Sequence, residues 1–129
     1  MNVVDSSGWL EFFADGPNAE FFAEPLMNPD RLVVPAISVF EVFKRILQQR
    51  DESAALEAAA LMEQGTVVDL DASLALAAAK CSVDLGLPMA DSIIFTTARQ
   101  YEATLWTQDS DFKGLDGVKF IAKGKPPGA

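Results

Sequence analysis

Two rhythms of apolar and polar residues alternate along the chain. Short β-rich runs lie at Val3-Val4, Leu32-Val33-Val34, Thr66 to Leu70, Thr104 to Thr107 and Val118 to Ile121. Longer stretches with helical spacing separate them. Ser6 or Ser7 is the expected cap of a first helix that runs to Phe13 and is broken by Gly16-Pro17. Asn18 opens a second helix, Ala19 to Met27, and Pro35 is expected to end the second strand. Ser38 to Gln49 carries Val39, Val42, Phe43, Ile46 and Leu47 as one apolar stripe. Glu52 to Gln64 is alanine-rich, with Gly65 as its stop. Asp71 caps Ala72 to Leu85, which Gly86 and Pro88 close, and Ser92 to Tyr101 is the last helix. Strands alternating with helices predict an α/β domain in which helices cover both faces of a parallel sheet. Residues 1–122 make that domain. Residues 123–129, with two prolines and two glycines, are expected as a flexible tail.

Composition narrows the chemistry. No stretch approaches the roughly 18 consecutive apolar residues of a membrane span, and the N-terminus lacks the basic region of a signal peptide. A cytoplasmic location is the default expectation. The single cysteine, Cys81, cannot form an internal disulfide, and there is no histidine. Carboxylates are therefore the main candidates for chemistry.

Asp5, Glu41, Asp91 and Asp109 each fall at the edge of an apolar segment. Asp5 follows the first strand and Asp109 the fourth. Ligands of open parallel sheets bind beyond the carboxyl ends of the strands, where the strand order reverses. If the order is 3-2-1-4-5, these two acids face each other there. Glu41 and Asp91, on the helices after strand two and before strand four, could overhang the same edge. Four carboxylates in one pocket repel unless a cation neutralises them. Oxygen donors with no imidazole or thiol favour Mg²⁺ or Mn²⁺.

Simpler roles exist for three of the four. Glu41 stands three residues after Ser38, at capping-box spacing, and four before Arg45. Asp91 reads as a helix N-cap and Asp109 as a turn residue. Asp5 directly follows a buried strand, where a carboxylate must be paired or ligated. The net charge of −9 opposes nucleic acid unless bound metal and a local basic patch reverse the field. A basic protein partner is the other option.

Four segments carry a family resemblance. Val4-Asp5-Ser6-Ser7, Ser38-Val39-Phe40-Glu41-Val42, Leu87-Pro88-Met89-Ala90-Asp91-Ser92-Ile93-Ile94 and Leu105-Trp106-Thr107-Gln108-Asp109-Ser110-Asp111-Phe112 are similar, in order and spacing, to the four signatures of PIN-domain nucleases. The short single-domain form resembles the VapC-type toxins of bacterial toxin–antitoxin pairs. The resemblance implies a three-layer α/β/α fold with a five-stranded parallel sheet of order 3-2-1-4-5. It implies that Asp5, Glu41, Asp91 and Asp109 hold Mg²⁺ or Mn²⁺, with Ser6, Thr107 and Asp111 supporting them. Asp111, two residues beyond Asp109, could also join or replace it.

The implied activity is metal-dependent hydrolysis of RNA, with tRNA or another structured RNA as the substrate class. Lys44, Arg45, Arg99 and Lys113, with Arg50, are candidate phosphate contacts. The implied partners are a cognate antitoxin and a second copy of the chain. Phe12, Phe13, Phe21 and Phe22 fall in the region that receives the antitoxin in this family. A phospho-receiver domain, which shares the doubly wound architecture and an acidic Mg²⁺ site, is the alternative of another class. It lacks support at Asp5, which is followed by Ser6-Ser7 rather than by a second acid. Two further alternatives keep the PIN fold: a nuclease of RNA maturation, and a binding module without catalysis.

Overall fold

The computed structural model describes residues 1–124. Most of the expected 123–129 tail, from residue 125 on, lies outside the described residues. Five strands alternate with six helices: β1 (Asn2–Val4), α1 (Ser6–Phe13), α2 (Ala19–Leu26), β2 (Val33–Pro35), α3 (Ala36–Gln49), α4 (Glu52–Met62), β3 (Thr66–Val68), α5 (Ala72–Leu85), α6 (Met89–Gln100), β4 (Thr104–Thr107) and β5 (Val118–Phe120).

All strand pairs are parallel. β1, β4 and β5 form one ladder and β2 and β3 another. A single parallel bridge, Asn2 to Leu32, joins the two. The expected continuous sheet is thus two ladders meeting at one contact.

Alternation along the strands divides the interior in two. Val4, Val34 and Trp106 face a core with Trp9, Phe22, Val42 and Met62 from α1 to α4. Their neighbours Val3, Val33 and Leu105 face the opposite core, with Ile94, Phe95 and Phe112. Central strands buried on both faces account for the continuous apolar runs in the sequence. Gly8 lets α1 lie against this sheet: a Cβ there would come within 2.6 Å of both Phe22 and Val4.

Several local expectations change. α1 is capped by Asp5, not by Ser6 or Ser7, because the Asp5 carboxylate reaches the Gly8 N–H. Pro35 is the last residue of β2 and also the N-cap of α3, which therefore starts at Ala36, two residues before Ser38. Its fixed φ, here −61°, suits the extended approach to a helix. Pro88 has the same place before α6, so Asp91 lies inside the first turn rather than at the cap. α4 ends at Met62, before Gly65, and β3 ends at Val68. Asp71 does cap α5, accepting from the Leu74 N–H at 2.8 Å. Among the described residues no single helix is long and apolar enough to cross a membrane. α5 and α6 meet that test only together, and they are bent by 111°.

Candidate active site

β1 and β4 are adjacent and parallel, with Val4 opposite Trp106. The residues that follow them, Asp5 and Asp109, therefore emerge side by side. Asp5 is 2% exposed. Its carboxylate accepts from Thr107 Oγ1 at 2.6 Å and from the Gly8 N–H at 2.9 Å. Ser7 Oγ reaches both of its oxygens, at 2.8 and 2.9 Å. These donors favour the anion, but burial outweighs them. Desolvation, with a smaller contribution from the Asp109 charge, lifts the Asp5 pKa to about 6.

Thr107 links the two acids, because its hydroxyl also accepts from the Asp109 N–H at 2.9 Å. Thr107→Val keeps the shape and removes both bonds. Asp5 should then titrate above its present value, since the largest opposing contribution is lost, while Thr107→Ser should restore it. Carboxyl ¹³C NMR titration reads the shift directly.

Asp91, Asp109 and Asp111 each offer an oxygen, and the three oxygens lie within 4.8 Å of one another. Burial lifts the Asp91 pKa to about 7, helped by the Asp109 charge, by hydrogen bonding with the Asp111 carboxyl and by the Asp111 and Asp5 charges. Asp109 accepts from the Asp111 N–H at 2.9 Å, which holds the turn that presents both carboxylates. Asp109 and Asp111 thus stand together at this corner, on one tight 3₁₀ turn.

Glu41 is held differently. Its Oε1 accepts from Ser6 Oγ at 2.6 Å, a contact spanning 35 residues. The capping box with Ser38 does not form, because Ser38 lies inside α3 with its hydroxyl buried and unpartnered. Nor does Glu41 pair with Arg45. Among the described residues the one salt bridge is Lys80–Asp84 on α5.

Among the described residues, then, no side-chain cation pairs with the cluster. Hard oxygen donors, crowded together, with the pKa values of Asp5 and Asp91 raised, fit a divalent cation of the Mg²⁺ or Mn²⁺ type.

The basic candidates scatter. Lys44 lies over the Phe40 ring, Arg99 over Phe95 and Lys113 over Phe120. Arg45 and Arg50 rim a groove of about 670 Å³ between α1, α3 and α4. Leu10, Phe13, Ile46, Ala58 and Leu61 line this groove, and Ser7 and Gln108 bring it up to the acidic site. Of the four phenylalanines, Phe13 lines it. Phe22 is fully buried, and Phe21 packs against Phe22 and Trp106. The groove is mainly aliphatic, with Phe13 as its one aromatic lining residue. Ser7, Asn18 and Gln108 were not among the sequence candidates, although Gln108 stands between Thr107 and Asp109.

A parallel α/β fold with uncompensated carboxylates beyond the ends of its central strands defines a class of acidic, cation-type sites. Within that class the chain belongs to the PIN domain family, whose model matches residues 3–118. No curated protein matches it in sequence.

Solved structures share the fold. A toxin–antitoxin complex from Klebsiella pneumoniae superposes with a TM-score of 0.77 at 20% identity, covering 92% of this chain and 96% of that one. VapC20 of Mycobacterium tuberculosis, described as a sarcin–ricin loop cleaving toxin, gives 0.75 at 18% identity, covering 90% and 95%. DNA-bound VapBC from Salmonella typhimurium gives 0.70 at 14% identity, covering 95% and 98%.

Proposed function

We propose that residues 1–122 form a metal-dependent endoribonuclease that acts in the cytoplasm as the toxin of a toxin–antitoxin pair. What carries this reading is the convergence of Asp5, Asp91, Asp109 and Asp111 beyond β1 and β4, with no cationic partner among the described residues. Family membership and the toxins among the structural neighbours favour this use of the site. The unbroken strand order 3-2-1-4-5 belongs to the same proposal, with the Asn2–Leu32 bridge as its join.

Asp5, Asp91, Asp109 and Glu41, the last held by Ser6, would hold Mg²⁺ or Mn²⁺, with Asp111 beside Asp109. Such a cation supplies Lewis-acid activation at a phosphodiester. The chain itself contributes position and proton control. Ser7, Gly8 and Thr107 fix both oxygens of Asp5, and Ser6 fixes Glu41. Asp91, with its pKa lifted to about 7 while no cation is bound, would give up its proton on ligating one. A route through the RNA 2′-hydroxyl and a general-base histidine is closed to a chain without histidine. Lys44, Arg45, Arg99 and Lys113 are the proposed phosphate contacts, favoured by their exposure on the surface.

The groove between α1, α3 and α4 is the proposed seat of the antitoxin. Its apolar floor and its approach to the acidic site through Ser7 and Gln108 suit an inhibitor. Leu61→Arg should then release inhibition without changing cleavage. A second copy is the proposed partner for α5, where Ala72, Leu76, Ala79 and Val83 make one exposed stripe. Light scattering of Val83→Glu checks that dimer.

Purified chain incubated with tRNA or another structured RNA should cut it in Mg²⁺ or Mn²⁺ and leave it whole in excess EDTA. Cleavage persisting in EDTA overturns the metal dependence. A phospho-receiver activity would need Asp69 or Asp71, after β3, as its phosphorylated residue, and it is disfavoured because Asp71 is engaged as the cap of α5 and Asp5 has no adjacent acid.

A further inference from the structure

Asn18 precedes α2, yet its side chain makes no capping bond. It turns inward and is 8% exposed. Nδ2 donates to Gln108 Oε1 at 2.9 Å and to the Ala122 carbonyl at 3.0 Å. The Asn18 N–H donates to Glu11 Oε2 at 2.8 Å, which ties the loop to α1. Gln108 is itself 8% exposed. Its two chain neighbours are the residues that build the acidic corner: Thr107, bonded to Asp5, and Asp109. Behind them the Ile121 N–H donates to the Thr107 carbonyl at 3.0 Å.

We propose that Asn18 and Gln108 form an amide clamp that positions the Asp109 corner of the carboxylate site, a role that rests on the metal-dependent nuclease reading above. One side chain ties together three segments: the α1–α2 loop, the end of β4 and the strand exit after β5. The β5 exit also packs on the loop, since a Cβ at Gly124 would stand 2.5 Å from the Pro17 Cβ.

The residue types suit the task. A buried polar group is destabilising unless its bonds are made, and in this arrangement both Asn18 Nδ2 donors and Gln108 Oε1 find partners. Neutral amides also give that rigidity without adding charge beside acids whose pKa values are already raised. Any rotation of the Gln108 peptide reorients the Asp109 N–H, and with it the Thr107 bond to Asp5. Metal ligands need placement to within roughly half an ångström. Asn18 and Gln108 touch neither metal nor substrate in this role, so they are positioning residues.

The full chain, titrated with Mn²⁺ by calorimetry, tests the clamp. Asn18→Ala and Gln108→Asn should each weaken Mn²⁺ binding by about tenfold or more, the usual scale for a group that supports metal ligands. In RNA cleavage kcat should fall while KM stays. Exchanging the two lengths, Asn18→Gln with Gln108→Asn, should recover much of the lost affinity. Leu74→Ala, a core variant on α5, supplies a control for general loss of stability. If the amide variants lower Tm as Leu74→Ala does but keep wild-type Mn²⁺ affinity and kcat, the clamp is overturned. Wild-type binding that disappears in Asp109→Asn would still uphold the metal site in that case. A wild-type chain that binds no Mn²⁺ overturns both.

Discussion

Asp5→Asn is expected to reduce RNA cleavage by roughly 10³-fold, about 4 kcal/mol of transition-state stabilisation at 1.36 kcal/mol per decade. The change swaps one oxygen for an amide nitrogen and removes the charge, leaving the shape nearly unaltered. Asparagine caps a helix about as well as aspartate, so α1 should still start at Ser6. The remaining oxygen can keep the Gly8 bond, and Thr107 can turn its hydroxyl to accept from the new amide. What disappears is the anionic donor at the centre of the site. Single-turnover cleavage of a structured RNA, beside circular dichroism of the same preparation, separates lost chemistry from lost fold. A variant that folds and cleaves within threefold of the parent would remove Asp5 from the mechanism.

Stability should move in the opposite direction. Asp5 is buried, and its pKa rises from 3.8 to about 6 on folding. The folded state therefore holds the proton more tightly than the unfolded state does. As pH climbs from about 4 to about 6, unfolding becomes progressively easier, and above that window the loss is constant. A shift of this size corresponds to about 3 kcal/mol, or on the order of 10 °C in Tm for a domain of this length. Asp91 extends the same trend to about pH 7. Being half-exposed, it adds less than its shift alone suggests.

The metal-free chain should thus melt at a higher temperature at pH 5 than at pH 7.5. Asp5→Asn should melt higher than the parent at pH 7.5 and show a flatter pH profile. Saturating Mg²⁺ should raise Tm markedly at pH 7.5 and little at pH 5, where protons compete for the same oxygens. Ligand at about 100 times its Kd contributes about 2.7 kcal/mol, comparable to the penalty it relieves. Differential scanning calorimetry at the two pH values reads all three effects. A Tm that rises with pH and ignores Mg²⁺ would contradict this account of the site. An inactive variant that is more stable than its parent is the combined signature of charge concentrated for function.

Much of this arrangement is legible in the residues. Val3-Val4, Val33-Val34 and Leu105-Trp106 announce strands buried on both faces, because no polar residue interrupts them. Asp71 announces a cap, and α5 starts where it should. The four acids are legible as candidates because the chain lacks histidine, and Asp5 and Asp109 stand just beyond the ends of β1 and β4. Two prolines carry a role that their position does not announce. Pro35 ends β2 as expected, but it and Pro88 also serve as the extended residue before a helix, so α3 and α6 begin earlier and both Ser38 and Asp91 fall inside the first turn. Glu41 shows the limit of local spacing for a related reason. Its best local partners, Ser38 and Arg45, are three and four residues away, yet it bonds to Ser6 across 35 residues.

By itself the sequence determined the α/β class, the burial pattern of the central strands and the chemical character of the site: carboxylate, without imidazole or thiol. Those properties follow from side-chain periodicity and composition, which are local. Only the tertiary structure decided which acids share a pocket. It set Asp5 against Thr107, gathered Asp91 with both Asp109 and Asp111, sent Glu41 to Ser6 and turned Asn18 inward to Gln108. Each of those contacts but the Asp109–Asp111 pair joins segments far apart in the chain. Parallel pairing of β1 with β4 brings the segments together, and no local propensity encodes that pairing.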